Sequence, residues 1–413
     1  MRDLFVSPSI PSPLHRVRSL HLLKVLSARH DVLLVTLAPA HDPVHATEHL
    51  SFLARPPRVV RLLFSSSLRS CLSATVRRRP LEVAYCASDA MRAAVQEALA
   101  EFQPDLLYVK RLRAAQFVPI PPPCPTILDA TDAMAASYRR AAPFSPPHLR
   151  PVFRYEAWAY ARAESAAAAV FRHWVVSSPA DASHLRQVLP PTVALHVIPN
   201  VVDTDAFAPH LGAEEPTHLL FSGLMDKVVN VSAATFFARE ILPKIRARIP
   251  GVTFTIAGPR PTPFVRRLAR SVGVSVAGYV PDLRREIARA AVVVVPVRSG
   301  TGTRNKILQA WAMGKAVVST PEGAEGLAAR HGENLLLADS AERFAAATVL
   351  LLKDADLRAR LGKTGREDTE RCYSLSALAS LLEPVLAAIQ KDRAMIGAYG
   401  RQATDSERKN RGR

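Results

Sequence analysis

The sequence predicts an α/β fold with two doubly wound domains. Short apolar runs alternate with amphipathic helical stretches, this series occurs twice, and a polar stretch bearing Gly and Pro separates the two series. The chain has 413 residues, a length that favours two or three domains. Hydrophobic residues make up 48% and charged residues 22% of the chain, which is typical of globular proteins and excludes wholesale disorder.

Short apolar runs bounded by Gly, Pro, Ser or Asp have the length and composition of strands buried on both faces. They lie at residues 32–37, 105–109, 126–128, 174–176 and 195–198 in the first half, and at 218–221, 253–256, 274–277, 292–295 and 316–319 in the second. Helical stretches lie between or after them, at 14–29, 88–101, 231–247, 304–313, 341–352, 357–361 and 376–389. This alternation favours parallel sheets with helices on both faces.

The domain break is predicted near residues 198–216, where the polar stretch lies. We therefore expect one Rossmann-like domain over residues 1–200 and a second over 201–390. The last helix is a candidate to pack back on the first domain. Residues 391–413 are expected to form a polar, basic tail.

The charge balance favours anionic partners. The chain has 54 basic and 36 acidic residues, a formal net charge of +18. A general arginine bias along the whole chain is an equally simple explanation. Nucleic-acid binding is disfavoured because the sequence contains no recognised module and no interleaving of aromatic and basic residues.

Cysteine usage and the N-terminus bear on location. The four cysteines lack CxxC spacing, which excludes a disulfide scaffold or a cysteine zinc knuckle and fits a reducing compartment. The sequence has no run of about 18 apolar residues, so no transmembrane helix is expected. The N-terminus lacks a long apolar core, so no signal peptide is expected.

The most informative segment spans residues 292–315, which reads as strand, small-residue loop and helix. Gly300 and Gly302 would let a ligand approach the backbone closely. The loop leads into a helix N-terminus, which favours anions, yet Arg304 and Lys306 lie in its first turn. A bound diphosphate would resolve this conflict. The alternative is a solvated basic helix end.

Residues 303–327 resemble the donor-binding region of family 4 glycosyltransferases with the GT-B fold. The amino-acid sequence of this stretch is similar to that of a subgroup associated with exopolysaccharide and exosortase (PEP-CTERM) systems. Other stretches resemble the same subgroup, in its order and at its spacing: 198–203, 219–243, 254–259 and 278–282.

The resemblance implies a retaining, metal-independent glycosyltransferase for polysaccharide biosynthesis. It would move a sugar from a nucleotide-diphosphate donor, bound mainly by residues 201–390, to a glycan or lipid-linked acceptor beside residues 1–200. No cofactor is expected beyond the donor substrate. The donor would lie at the carboxyl ends of strands, as ligands do in open α/β sheets.

The resemblance also implies roles for individual residues. Backbone amides of the loop would hold the phosphates, Arg304 or Lys306 would neutralise them, and Gln309 would bond a ribose hydroxyl. Stabilising the departing diphosphate is then the main catalytic work. The loop residues are Gly300, Thr301, Gly302 and Thr303; those beside the nucleoside base are Gly258, Pro259, Tyr279 and Val280; those of the first phosphate motif are Gly223 and Lys227.

The sequence departs from the family pattern at several positions. The family often has Glu-x7-Glu across the loop and helix, where this chain has Thr301 and Gln309. An amide in place of the second carboxylate weakens a charge-assisted bond to ribose. Leu224 and Val229 stand where the family commonly has Arg and Lys, and Lys227 is the nearby substitute.

The acceptor side is predicted from the first domain. The N-terminal loop lacks the family's paired glycines, and Arg16 and Arg18 are candidates to bind phosphate or an anionic acceptor. Asp129 and Asp132 follow a strand and are candidate catalytic residues that would orient the attacking hydroxyl, although helix capping by Asp132 is an equal alternative. Thr131 replaces the histidine that many relatives place before the second aspartate.

A peripheral position on the cytoplasmic face of the inner membrane is also predicted. The helical stretch 17–29 carries leucines and basic residues, and the cluster Arg77–Arg79 adds positive charge. A solvated loop explains the charges as well. Two other functions stay open: a GT-B nucleotide-sugar epimerase, which needs acidic groups for proton transfer, and a catalytically weakened GT-B binding subunit.

Overall fold

The computed structural model describes residues 1–13, 16–39, 47–209, 212–298 and 305–391. These residues form two separate parallel β-sheets with helices on both faces, as the sequence predicts. The first sheet has seven strands and the second has six.

The first sheet has the order β3-β2-β1-β4-β5-β6-β7. Its strands are β1 (Arg2–Ser7), β2 (Asp31–Ala38), β3 (Arg58–Arg61), β4 (Leu106–Lys110), β5 (Thr126–Thr131), β6 (His173–Val176) and β7 (Ala194–Val197). Alternate residues of β1 enter opposite apolar layers: Leu4 and Val6 pack on one face and Phe5 on the other. Both faces are therefore covered by helices.

The helices of the first half are α1 (Val17–Ser27), α2 (Phe64–Val76), α3 (Leu81–Tyr85), α4 (Asp89–Phe102), α5 (Arg111–Ala115), α6 (Met134–Ala141), α7 (Arg150–Ala167) and α8 (Pro179–Arg186). Two 3₁₀ turns, Ala142–Phe144 and Pro147–Leu149, lie between α6 and α7.

The second sheet has the order β10-β9-β8-β11-β12-β13. Its strands are β8 (Glu215–Ser222), β9 (Thr253–Ala257), β10 (Val274–Gly278), β11 (Ala290–Val295), β12 (Ala316–Ser319) and β13 (Leu336–Leu337). Strand β11 has six buried residues, AAVVVV, the near-continuous apolar run expected of a central parallel strand.

The helices of the second half are α9 (Val228–Phe236), α10 (Leu242–Arg246), α11 (Pro263–Arg267), α12 (Leu283–Arg289), α13 (Asn305–Ala312), α14 (Ala341–Lys353), α15 (Ala355–Cys372) and α16 (375–391). A π-helical turn, Phe237–Ile241, joins α9 to α10.

Helix α16 packs against the first sheet and its helices, not the second. Its apolar side chains Leu378, Leu382, Val385 and Ile389 are buried in the same cluster as Phe5. The stretch Ala355–Lys391, which combines α15 and α16, is long and apolar enough to cross a membrane by length and composition alone. The sequence predicts no transmembrane helix here because Ser, Glu and Pro residues interrupt the apolar run.

Candidate functional site

The second sheet reverses its strand order between β8 and β11. Ligands of open α/β sheets bind at the carboxyl ends of strands where the order reverses. Gly223 directly follows β8, and Arg298 follows β11 by three residues. The predicted phosphate loop comes next in the chain, but Gly300, Thr301, Gly302, Thr303 and Arg304 lie outside the described residues. Their roles stay predictions.

Two glycines bring the loops after β8 and β9 into backbone contact. Gly258 has φ +139°, and a Cβ atom built on it would lie 1.8 Å from the carbonyl oxygen of Gly223. Gly223 has φ +155°, and its Cβ atom would lie 2.8 Å from Asn230 Nδ2. A side chain at Gly258 would force the loops apart. Glycine at this position therefore permits the close approach of the two loops.

Backbone and ionic contacts hold these two loops together. The Met225 amide donates to the Pro259 carbonyl at 3.0 Å, and the Gly258 amide donates to Gly278 at 2.7 Å. Arg260 forms an ion pair with Asp226 at 3.1 Å. Lys227 lies in the same loop, just before α9, with an exposed side chain. The structure thus places Lys227 beside Gly223, as the sequence spacing predicts.

Lys306 lies in the first turn of α13, and its ammonium group is positioned by residues near α9. Its Nζ donates to Asn230 Oδ1 at 2.8 Å and lies 4.4 Å from the centroid of the Phe221 ring. Asn230 Nδ2 in turn donates to the Leu224 carbonyl at 3.0 Å. A fixed cation therefore stands at the reversal point of the sheet.

Asn230 is a positioning residue that the sequence reasoning did not single out as part of the site. The signal available was its place inside the segment 219–243, which resembles the glycosyltransferase subgroup. Its contact with Lys306 joins residues 76 positions apart, a distance over which local sequence patterns carry no information.

The second predicted residue of α13, Gln309, is partly buried. Trp311, on the same helix, is fully buried and donates from Nε1 to the Asn334 carbonyl at 2.8 Å. Its ring packs against Gly365, where an added Cβ would lie 2.4 Å from the indole. Trp311 is therefore a packing residue, and the contact of Gln309 with a ribose stays a prediction.

The residues predicted to border a nucleoside base lie together. Gly258 and Pro259 follow β9, while Tyr279 and Val280 follow its neighbour β10. The Tyr279 side chain is 58% exposed, whereas Val280 is partly buried against the apolar core. The exposed Tyr279 ring has room to contact a planar base.

The corresponding edge of the first sheet is closed by a buried charge cluster. Asp129 on β5 is 0% exposed and accepts from Arg18 Nε at 3.0 Å and from the Tyr108 hydroxyl at 3.1 Å. Its other oxygen contacts Lys110 Nζ at 2.9 Å and the Thr131 hydroxyl at 3.0 Å. Burial with every oxygen bonded argues against the predicted contact between Asp129 and an acceptor.

Ionisation of this cluster follows from its burial and its pairing. Burial alone would raise the pKa of Asp129, but the charges of Arg18 and Lys110 lower it below the ordinary value. Burial lowers the pKa of the Lys110 ammonium to about 7, against the opposing attraction of Asp129. A carboxylate held ionised between two cations is a structural anchor for the carboxyl ends of β4 and β5.

Asp132 is placed differently from Asp129. It is 21% exposed and lies 3.4 Å from Arg111 Nη2. It does not cap α6: Asp181 accepts from the Ala133 amide at 2.9 Å, and Glu164 accepts from the Ala135 amide at 3.3 Å. The capping alternative is therefore wrong, because acidic residues from α7 and α8 take that role. The catalytic role of Asp132 stays a prediction.

The two predicted acceptor-side arginines are turned inward. Arg18 is 8% exposed, and its Nη1 donates to the carbonyls of Ile198 and Pro199 at 2.8 and 3.1 Å. Arg16 Nη1 donates to the Ile10 carbonyl at 3.2 Å. Arg18 therefore ties the first sheet to the segment between the sheets. Its burial argues against the predicted contact with an anionic acceptor.

His173 of the first half lies away from the carboxyl edge of its sheet. His173 begins β6, so it lies at the amino end of that strand, opposite the carboxyl edge. It is buried and stacks on His196 with ring centroids 5.6 Å apart. His15 lies outside the described residues.

Side chains from both halves meet across the space between the two sheets. Arg140 on α6 forms a two-pronged ion pair with Glu325, with distances of 3.0 and 2.8 Å. The Arg298 guanidinium lies 4.0 Å from the Phe236 ring centroid and 5.9 Å from that of Phe144. Arg298 is next to the predicted phosphate loop and is not among the site residues that the sequence predicts.

In the part of the chain that the structure describes, no group of three or more His, Cys, Asp or Glu residues is placed to hold a metal ion. Metal independence of the reaction stays a prediction.

Comparison with solved structures identifies the architecture. A structure of Anabaena Alr3699/HepE in complex with UDP and glucose superimposes with a TM-score of 0.66 at 17% identity, covering 94% of this chain and 99% of that one. Sucrose-phosphate synthase (tll1590) from Thermosynechococcus elongatus gives 0.69 at 17% identity, with 95% and 100% coverage. The chain has the GT-B fold.

In this GT-B chain, residues 216–354 match the family model for group 1 glycosyl transferases. The lipopolysaccharide core biosynthesis glycosyltransferase LpsE of Rhizobium meliloti (strain 1021) is 34% identical over 149 residues. That match covers 34% of this chain and 44% of LpsE. The family-model match lies in the half that carries Gly223, Gly258 and Lys306.

Proposed function

We propose that this GT-B chain is a glycosyltransferase that moves a sugar from a nucleotide-diphosphate donor to a glycan or lipid-linked acceptor in lipopolysaccharide or other polysaccharide biosynthesis. The observation that carries the proposal is the arrangement at the reversal point of the second sheet. There the backbones of Gly223 and Gly258 pack against each other beside a cation held in place, Lys306.

The arrangement suits a diphosphate leaving group. A positioned ammonium stabilises negative charge without reorganising during the reaction. Charge develops on the diphosphate as the bond to the sugar breaks. Arg304 and the amides of residues 300–303 are proposed to add to this stabilisation. HepE, a structural relative, has been crystallised with UDP and with UDP-glucose, which supports a nucleotide-sugar donor.

The finer features of the proposal are retention of configuration, catalysis without a metal ion, and membership of the family 4 exopolysaccharide subgroup. They rest on the motif resemblance in residues 174–330. The proposed location is the cytoplasm, where nucleotide sugars and a reduced state of the four cysteines are compatible.

The test is a donor screen with the full chain. UDP-, GDP-, ADP- and dTDP-sugars are incubated with candidate glycan acceptors, and products are identified by mass spectrometry, with and without EDTA. We expect transfer from one donor class, no loss on chelation, and by NMR an anomeric configuration that matches the donor. Epimerised donor without transfer would replace the proposal with an epimerase; binding of donor without any turnover would replace it with a binding subunit.

A further inference from the structure

Helix α2 (Phe64–Val76) presents an apolar stripe to solvent. Phe64, Leu68, Leu72 and Val76 recur every four residues and are 53–83% exposed; Leu63, just before the helix, is 66% exposed. Side chains four residues apart lie on one face of a helix. The stripe runs the full length of α2, about 20 Å at 1.5 Å per residue.

The orientation of α2 is the reverse of that of an ordinary surface helix. Its buried side chains are small, Ser67 and Ala74, while its large apolar side chains face outward. The Tyr155 hydroxyl of α7 lies within hydrogen-bonding distance of the Ala74 carbonyl, at 3.1 Å, and of the Arg79 carbonyl, at 2.9 Å. The helix is thus held with this face outward, and contiguous exposed apolar surface of this kind marks an interaction site.

Arginines surround the stripe. Arg61 precedes α2, Arg69 lies on it, and Arg77 and Arg78 follow it; all four are exposed. Residues 61–79 contain no Asp or Glu. An apolar face bordered by basic residues alone is the pattern of helices that lie in the interface of an anionic bilayer.

We propose that α2 docks this protein onto an anionic phospholipid surface, with the apolar stripe in the acyl boundary and the arginines among the phosphates. Arginines extend their charged ends to head groups while their stems contact apolar surface. A second copy of the chain is a poorer occupant. A symmetric contact would place the four arginines of one copy against those of the other.

The element that docks differs from the one that the sequence favours. The helix at 17–29 is α1, and its Leu20, Leu22, Leu23 and Leu26 are buried in the core of the first half. That assignment is wrong because the apolar face of α1 covers the sheet. Helix α2 follows β3 by three residues, so the docking face starts at the carboxyl edge of the first sheet. A lipid-linked acceptor would therefore be close to the space between the two sheets.

The test is vesicle co-sedimentation of the full chain, which needs neither donor nor acceptor and is independent of the proposed activity. Vesicles contain phosphatidylcholine alone or with one quarter phosphatidylglycerol. We expect at least tenfold stronger partitioning to the anionic vesicles. The double variant L68S/L72S is expected to lower that partitioning at least tenfold, and so is the triple variant R69Q/R77Q/R78Q.

Matched controls lie in the second half of the chain. L350S removes another exposed leucine, 49% exposed on α14, and R266Q/R267Q/R270Q removes three exposed arginines near α11. Both are expected to bind like the wild type, and circular dichroism checks folding. Wild-type partitioning by L68S/L72S would overturn the proposal. So would concentration-dependent dimerisation, by analytical ultracentrifugation, that L68S/L72S abolishes.

Discussion

The carboxyl edges of the two sheets are built in opposite ways. In the first half the edge is closed by side chains, with Asp129 buried between Arg18 and Lys110. In the second half the loops at this edge pack through backbone, where Gly258 contacts Gly223, and the positioned cation Lys306 lies beside them. The two halves of the fold therefore differ at the same edge of their sheets: a buried charge cluster holds the first edge, and a positioned cation lies at the second.

The closed edge gives the largest expected effect. Asp129→Asn leaves the buried Arg18 guanidinium without its counter-charge and Lys110 without its ionic partner, and we expect the free energy of unfolding to fall by about 3–5 kcal/mol. Urea denaturation measures it. Asp132→Asn, three residues further along the chain, is the matched control: it affects a partly exposed contact with Arg111 at 3.4 Å, and a change below about 1 kcal/mol is expected. Equal effects of the two substitutions would show that the first edge is not held by this cluster.

The open edge predicts the next largest effect. Gly258→Ala places a methyl group 1.8 Å from a backbone oxygen at a φ of +139°, so the loops after β8 and β9 must separate. We expect a loss of about 2–4 kcal/mol in unfolding free energy, together with loss of nucleotide binding. Gly251→Ala, which has open space around its Cβ position, is the control and should change stability by less than about 1 kcal/mol. Unchanged nucleotide affinity in a folded Gly258→Ala variant would contradict the account.

The stability of the first half depends on pH through Glu164, a residue of α7 that helps to cap α6. Burial raises the pKa of its carboxyl group from 4.5 to about 7. Because the folded value is the higher one, the stability that it contributes is present below about pH 4.5 and lost as pH rises through 7.

Glu164→Gln removes this titration. We compare the unfolding free energy of the variant with that of the wild type at pH 5 and at pH 8. We expect the difference to favour the variant by about 1–3 kcal/mol more at pH 8 than at pH 5. Denaturation curves at both pH values measure the difference. Glu97→Gln, at an exposed position of α4, should show no such gain. A gain that is equal for both variants would mean that Glu164 does not carry the effect.

The contact between the halves gives the smallest expected effect. A double-mutant cycle on Arg140 and Glu325, which are 30% and 24% exposed, should show a coupling of about 0.5–1 kcal/mol in unfolding free energy. The pair Arg343 and Asp339 is 75% and 59% exposed, and its coupling should be near zero. Equal coupling in the two pairs would mean that the bridge adds nothing beyond an ordinary surface ion pair.

Sequence patterns predict the two sheets well because buried parallel strands are short apolar runs. They miss β1, which carries the buried Asp3 bonded to His30 at 2.6 Å, and β3, whose two valines are flanked by arginines. A buried carboxylate bonded to a distant polar side chain resembles a surface position when only one segment of the chain is considered. The same limit explains why Asp129 and Arg18 are predicted as ligand-binding residues.

Local sequence signals predict the donor side, and the predicted residues that the structure describes lie close together. Gly223, Gly258 and Tyr279 each follow a strand, and strand ends of a parallel sheet meet at one edge. The Asn230–Lys306 contact joins distant segments and needs the folded structure. Helices α1 and α2 both have apolar stripes, and only the fold shows which one faces the core.

The central claim is that Lys306, held by Asn230, receives the diphosphate of a nucleotide donor. Isothermal titration of UDP into the wild type and Lys306→Met tests it, with Lys353→Met at an exposed end of α14 as the control. We predict that Lys306→Met weakens UDP binding roughly 10- to 100-fold while Lys353→Met leaves it unchanged. Equal UDP affinity in both variants, with both folded, would contradict the assignment of the donor site.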